Sequence, residues 1–343
     1  MSILIDIQKK LGAFVLDVNI EVENEVLALF GASGCGKSTV LKCIAGIMKP
    51  DRGKIVLDGK VLFDSEKRIN LTPQKRNVGY LFQQYALFPN MTVEQNIACG
   101  IHRKKDPEKI AQMIEAVDLK GMEKKYPSQL SGGQQQRTAL ARILIGEPDI
   151  LMLDEPFSAL DTHLRYQMEQ EVHQVIKRFG KTVLLVSHDM DEVYRLSERV
   201  AVMKDGRIEK IGPKRELFLN PETLTAATLT GYRNISAATP VSEHSVYAED
   251  WGAELNVEGS TEGVKHIAVR TEGLTLGGSE NFVPCDVLEV IKNSFSSVLR
   301  LKTRDGNRET SFVLHIDEVP EGIEVGSKVL VSVPKKDIVL LKD

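Results

Sequence analysis

The stretch Gly31-Ala32-Ser33-Gly34-Cys35-Gly36-Lys37-Ser38 sets three glycines, a lysine and two hydroxyls within eight residues, directly after the apolar run 26–30. Glycines let backbone N–H groups close around a phosphate where side chains would block the approach. Lys37 then supplies charge for the β- and γ-phosphates of a nucleoside triphosphate, and the Ser38 hydroxyl suits Mg2+. Residues 39–47 continue as an amphipathic helix whose first amides would point at the same anion. Strand, loop and helix in that order make triphosphate binding the first expectation.

Three further groups carry chemistry. In Ile150-Leu151-Met152-Leu153-Asp154-Glu155-Pro156 a buried strand would leave Asp154 at its tip as an Mg2+ ligand through water, and Glu155 as the base for an attacking water. In Leu130-Ser131-Gly132-Gly133-Gln134-Gln135-Gln136-Arg137, ahead of a helix over 138–145, the Ser131 hydroxyl and glycine amides form an anion site with no lysine of its own. Two anion sites and one lysine suggest a nucleotide clamped between two chains. The run 183–187 leads into His188, which could bond the γ-phosphate or lytic water while Glu155 acts. Singly, each group also reads as a solvated turn or a surface histidine; their joint occurrence favours function.

These residues need strands to hold them. The runs 26–30, 78–82, 150–153 and 182–186 read as buried central strands, each ending at a polar or glycine residue. That puts the chemistry at the C-terminal edge of a parallel sheet. Residues 1–24 and 53–63 look antiparallel, with Asp58-Gly59 as a tight hairpin turn; 107–117 and 164–179 have helical periodicity, the second stopped by Gly180. Beyond Gly231 the texture becomes short β-like segments, at 245–248, 266–269, 283–291, 296–302, 311–316 and 328–333, as in a small all-β barrel. The expected organisation is an α/β P-loop domain over 1–235, with antiparallel β and helical subdomains, and an all-β domain over 236–343.

A chain of 343 residues is long enough for two cores. A net charge of −4 gives no general pull towards nucleic acid or anionic lipid. Cys35, Cys43, Cys99 and Cys285 lie too far apart for a metal knuckle and are too few for a disulfide framework, which fits a reducing compartment. Cys35 sits inside the phosphate loop, where alkylation should block nucleotide. The N-terminus lacks the pattern of a signal peptide and no run approaches 18 apolar residues, so membrane work is expected to go through partners.

Taken together the motifs resemble the ATP-binding subunit of an ABC transporter, importer type, with a C-terminal β extension of TOBE/MOP-like kind. The resemblance makes 31–39, including Thr39, the Walker A element, 130–134 the signature, 150–155 Walker B and His188 the switch histidine. It makes Gln83 the Q-loop glutamine, catalytic and an Mg2+ ligand beside Ser38 and Asp154, and Ser158-Ala159-Leu160-Asp161 the D-loop, with Asp161 at the nucleotide. It implies ATP and Mg2+, a head-to-tail homodimer at the cytoplasmic face of the membrane, and integral permease subunits contacting residues 85–93. An extracytoplasmic substrate-binding protein would act indirectly, and nucleic acid is no partner.

One departure concerns adenine: Leu11 stands where family members carry an aromatic before the first glycine, leaving Phe14 as the candidate. For cargo, the short Gly12–Gly31 spacing and the insert 62–76 resemble the molybdate and tungstate branch; sulfate, iron, polyamine and sugar importers are the alternatives. Lys292, Ser294, Ser296 and Ser297 form a polar run that could contact an oxyanion or simply be a solvated turn. A soluble ABC protein acting on nucleic acid or ribosomes is the alternative of another class, but this chain has neither a coiled-coil insertion, nor a second ATPase half, nor a basic stripe.

Overall fold

The computed structural model describes residues 2–101, 106–158, 162–306 and 311–343. They form two compact units, 1–214 and 215–343. The first is built on one sheet of eleven strands. In chain order these are β1 (Ile3–Leu11), β2 (Phe14–Val22), β3 (Val26–Phe30), β4 (Arg52–Leu57), β5 (Lys60–Asp64), β6 (Ile69–Asn70), β7 (Val78–Leu81), β8 (Ile150–Asp154), β9 (Val183–Ser187), β10 (Arg199–Lys204) and β11 (Arg207–Pro213). Their spatial order is 6-5-4-1-2-11-10-3-9-8-7.

Strands β10, β3, β9, β8 and β7 pair in parallel. Every residue of β3, β8 and β9 is buried, as expected of strands covered on both faces. The four central strands expected from the sequence are therefore β3, β7, β8 and β9, with β10 beside them. The antiparallel strands β1, β2, β4, β5 and β6 form the other half, and the Asp58-Gly59 turn joins β4 to β5 with both residues at positive φ. The antiparallel half is continuous with the parallel half, joined by β11 alongside β2.

Helix α1 (Lys37–Ala45) leaves the loop after β3 and ends at Gly46, φ 76°. Its C-terminal carbonyls are capped from an unforeseen direction. Arg76, the last residue of α2 (Pro73–Arg76), is fully buried, and its Nη1 donates to the carbonyls of Cys43 at 2.8 Å and Ile44 at 2.7 Å. The same guanidinium donates to Leu71 O and Asn70 Oδ1. A cation at a helix C-terminus also interacts favourably with the helix dipole.

Helices α3 (Val93–Ala98), α4 (Pro107–Ala116) and α5 (Gly132–Leu144) close over their own apolar core, including Val93, Ile97, Ile110, Ile114 and Ala141. Helix α6 (Thr162–Phe179) and α7 (Met190–Leu196) follow β8 and β9.

The second unit starts with two short helices, Lys214–Leu219 and Leu224–Leu229, before its strands begin at Asn234. The change to all-β texture near residue 235 thus falls inside this unit. Two five-stranded sheets follow and make a nearly closed, barrel-like body. Its core includes Trp251 against Phe312, with ring centroids 4.6 Å apart. Lys292 and Ser294 are exposed at a hairpin end, where Asn293 N donates to Ser296 O, while Ser297 is buried at the start of the following strand. Among the described residues no helix is long and apolar enough to cross a membrane.

Candidate functional site

The C-terminal ends of β3, β8 and β9 meet at one edge of the sheet. After β3 the chain turns through Gly34 at φ 85° and Gly36 at φ 108°, conformations that L side chains rarely adopt. A Cβ on Gly36 would lie 2.8 Å from Leu16 and 3.1 Å from Phe14, so the loop also needs glycine for space.

Lys37 is 4% exposed and its Nζ turns back into the loop, donating to Gly31 O at 2.7 Å and Ala32 O at 3.0 Å. Among the described residues it forms no ion pair with a carboxylate. Its Nζ also reaches the Cys35 sulfur at 4.0 Å; a buried charge answered by neutral groups and no carboxylate is a strong anion receptor, because its full compensation is still lacking.

Ser38 Oγ donates to Asp154 Oδ1 at 2.7 Å. Asp154 ends β8 and is itself buried; its Oδ2 accepts from Tyr80 OH, also at 2.7 Å. Burial, and then this carboxylate, push the Tyr80 phenol well above its ordinary value, so it remains a donor. Sequence reasoning missed Tyr80. The signal was a tyrosine on the strand next to β8, in register with Met152 two residues before Asp154. A hydroxyl and a carboxylate in contact form a hard oxygen pair, which suits Mg2+ that keeps most of its waters. Among the described residues no group of three or more His, Cys, Asp or Glu could hold a metal on its own.

Glu155 follows at φ 45°, a strained conformation for a side-chain-bearing residue, fixed by its N–H donating to Val186 O at 3.0 Å. One carboxylate oxygen lies 3.3 Å from His188 Nδ1; the other accepts from Gln83 Nε2 at 3.4 Å. The structure therefore joins Gln83, Glu155 and His188, while Gln83 bonds neither Ser38 nor Asp154 in it.

An open groove of about 300 Å³ runs over this edge, lined by Ser33, Gly34, Gly36, Lys37, Ser38, Thr39 and Glu155, with Leu11 and Phe14 at one end. Phe14, the adenine candidate, thus borders it as a ring packed against Gly36, beside the more exposed Leu11.

The remaining predicted residues lie apart. Ser131 caps α5, its Oγ accepting from Gln134 N while Gln134 Oε1 accepts from Ser131 N. Neither these two nor Gly132 and Gly133 line the groove. Asp161 lies outside the described residues.

The stretch after Gln83 is fastened to α5: Arg142 donates to the carbonyls of Tyr85 and Ala86, both at positive φ, and lies 5.3 Å over the Phe88 ring. Phe88 is exposed. Beside it, a second groove is lined by Ile47, Gln74, Phe82, Arg142 and Ile143.

Comparison with known proteins matches this frame. The ABC transporter family model matches residues 15–158. The spermidine/putrescine import ATP-binding protein PotA of Desulfitobacterium hafniense is 34% identical over 335 residues, covering 93% of this chain and 92% of that one. The sulfate/thiosulfate import ATP-binding protein CysA of Gloeobacter violaceus is 41% identical over 249 residues, 70% of this chain and 71% of that one. The chain spans 56–62% of the length of three further relatives, all spermidine/putrescine import ATP-binding proteins. Among solved structures, the dimeric post-hydrolysis state of the ATP-binding cassette MJ0796 bound to ADP and Pi aligns with a TM-score of 0.53 at 29% identity, over 63% of this chain and 99% of that one. With its phosphate loop, paired acids and strand-end histidine on a P-loop sheet, the chain belongs to the ABC transporter family.

Proposed function

We propose that the chain is the ATP-binding and ATP-hydrolysing subunit of an ABC importer, acting as a homodimer at the cytoplasmic face of the membrane beneath integral permease subunits. The observation that carries this reading is the buried Lys37 ammonium, without a carboxylate partner among the described residues, lining a groove together with Glu155, which is paired with His188. Amides and side chains of residues 31–39 would hold the phosphates. Ser38 and Asp154 would hold Mg2+, which supplies positive charge to the phosphate oxygens when bound. Glu155 would take the proton of the attacking water, and His188 and Gln83 would keep its carboxylate oriented. Ser131, Gly132, Gly133 and Gln134 cap a helix away from the groove, which supports their acting on nucleotide held by a second copy. The exposed Phe88 and the clamped backbone at Tyr85 and Ala86 support a permease contact over residues 85–93.

For cargo, polyamine is the reading we favour, since a relative aligned along nearly the whole chain is named for spermidine and putrescine; sulfate comes second. The molybdate and tungstate expectation leaned on the short Gly12–Gly31 spacing and on the insert 62–76, whose last residue, Arg76, is bonded to the end of α1. Uptake by the assembled transporter of spermidine, sulfate and molybdate, each labelled, discriminates the three. For the ATPase, Glu155→Gln is expected to keep ATP binding and lose at least about 100-fold in phosphate release. Equal release by variant and wild type would remove Glu155 as the base, and no hydrolysis by the wild-type complex would overturn the whole reading.

A further inference from the structure

Behind His188 lies a buried polar network that the hydrolytic roles above leave unused. Ser187, the last residue of β9, is 1% exposed. Its hydroxyl donates to Glu192 Oε2 at 2.7 Å and accepts the N–H of Asp189 at 2.9 Å. Glu192, 4% exposed, sits in the first turn of α7. Asp189 caps that helix, with Oδ1 accepting from Asp191 N and Glu192 N and Oδ2 accepting from Arg165 Nη1 of α6 at 3.3 Å. Arg165 Nε is buried, has no hydrogen-bond partner among the described residues, and lies 4.0 Å from Glu192 Oε1.

Both chain neighbours of His188 are thus bonded into one chain of carboxylate, hydroxyl and amide. The imidazole between them is 52% exposed. A buried carboxylate with one hydroxyl donor and a distant guanidinium is poor at stabilising a fold; an apolar side chain of similar size would do as well. Its use is geometric.

Accepting His188 and Glu155 as the hydrolytic pair, we propose that Ser187 and Glu192 are positioning residues for His188. They fix the strand-to-helix turn so that the imidazole stays within reach of Glu155, and Arg165 ties that turn to the start of α6. Without the Ser187 hydroxyl, Asp189 N–H loses its acceptor and the Glu192 carboxylate loses its donor, so the turn is released on the side facing the nucleotide groove.

The test measures ATP turnover and the affinity for a fluorescent ATP analogue with the full chain, supplied with its permease where turnover requires it. Ser187→Ala is expected to lower kcat roughly 10- to 100-fold, the effect that a displacement on the order of 1 Å carries, with KM changed less than about twofold. Ser187→Thr, which keeps the hydroxyl, is expected to restore most of the rate. In a His188→Ala background Ser187→Ala should remove nothing more, since its whole effect passes through the imidazole. Where Ser187→Ala does not fold, Glu192→Gln against Glu192→Leu gives the same comparison, because only the amide oxygen still accepts from Ser187. Wild-type turnover with an unimpaired Ser187→Ala, or an equal further loss in the His188→Ala background, would overturn this inference alone. No turnover by the wild type would overturn the ATPase reading and this inference with it.

Discussion

Desolvation lifts the Glu192 carboxyl from its ordinary 4.5 to about 7; Asp189 and Glu169 add to the rise, while the Ser187 hydroxyl and Arg165 oppose it. An acid that holds its proton more tightly folded than unfolded adds stability below about pH 4.5 and loses that contribution as pH rises through about 7. Glu192→Gln has no proton to lose. Its melting temperature relative to wild type is therefore expected to climb between about pH 5 and pH 8, by the equivalent of on the order of 3 kcal/mol at most. Thermal melts in a pH series check this, and a gap constant with pH would show that Glu192 titrates normally. At this scale Lys37, Ser38, Asp154, Glu155 and His188 were legible in the sequence as a candidate site because each lies at a strand end, just after one, or in the first turn of the helix behind the phosphate loop. Tyr80, Ser187 and Glu192 were not, since what makes them matter is a partner met only once strands and helices are packed.

Among the elements, α1 depends on its two ends. The phosphate loop starts it and Arg76 stops it, and a Cβ on Gly46 would lie 2.6 Å from Arg76 Nε in a backbone at φ 76°. Arg76→Leu would strand the Cys43 and Ile44 carbonyls in the interior and is expected to destabilise by about 2–4 kcal/mol, with Gly46→Ala acting in the same direction. Urea denaturation of each variant measures it. Nothing in residues 62–76 announces this, because an arginine in a polar stretch reads as surface until its four acceptors are found. The hairpin of β10 and β11 was legible but passed over: Asp205-Gly206 turns at φ 47° and 81°, as Asp58-Gly59 does at 45° and 77°. The link from β11 to β2, a single parallel pair between Arg207 and Asp17, has no sequence pattern to betray it.

For the whole molecule the test of the proposed homodimer is intermolecular. The helix cap at Ser131 is complete within its own chain and does not line the groove, so in the proposed pair it would close on nucleotide held by the second copy. With ATP and the Glu155→Gln change to block turnover, light scattering is expected to show a doubled mass; adding Ser131→Arg should return it to one copy while nucleotide affinity changes less than about threefold. Dimers in both forms, or in neither, would count against closure by the helix cap. The sequence reading set the domain change at the switch in texture near residue 235, whereas the second compact unit begins at residue 215. The short helices that open the second unit hid where its packing begins, because Ala227 and Tyr232 join Ala268 and Leu341 in a small apolar cluster there.

Lys37 hands part of this behaviour to thermodynamics. Its ammonium is stripped of water during folding and, among the described residues, meets the Gly31 and Ala32 carbonyls and the Cys35 sulfur but no carboxylate, so the ligand-free chain carries a tension that an uncharged side chain of similar length would relieve. Lys37→Met is accordingly expected to melt above wild type without nucleotide and below it at saturating Mg-ATP. That inversion of rank, followed by differential scanning fluorimetry, would expose a loop tuned for its guest at the expense of its own repose.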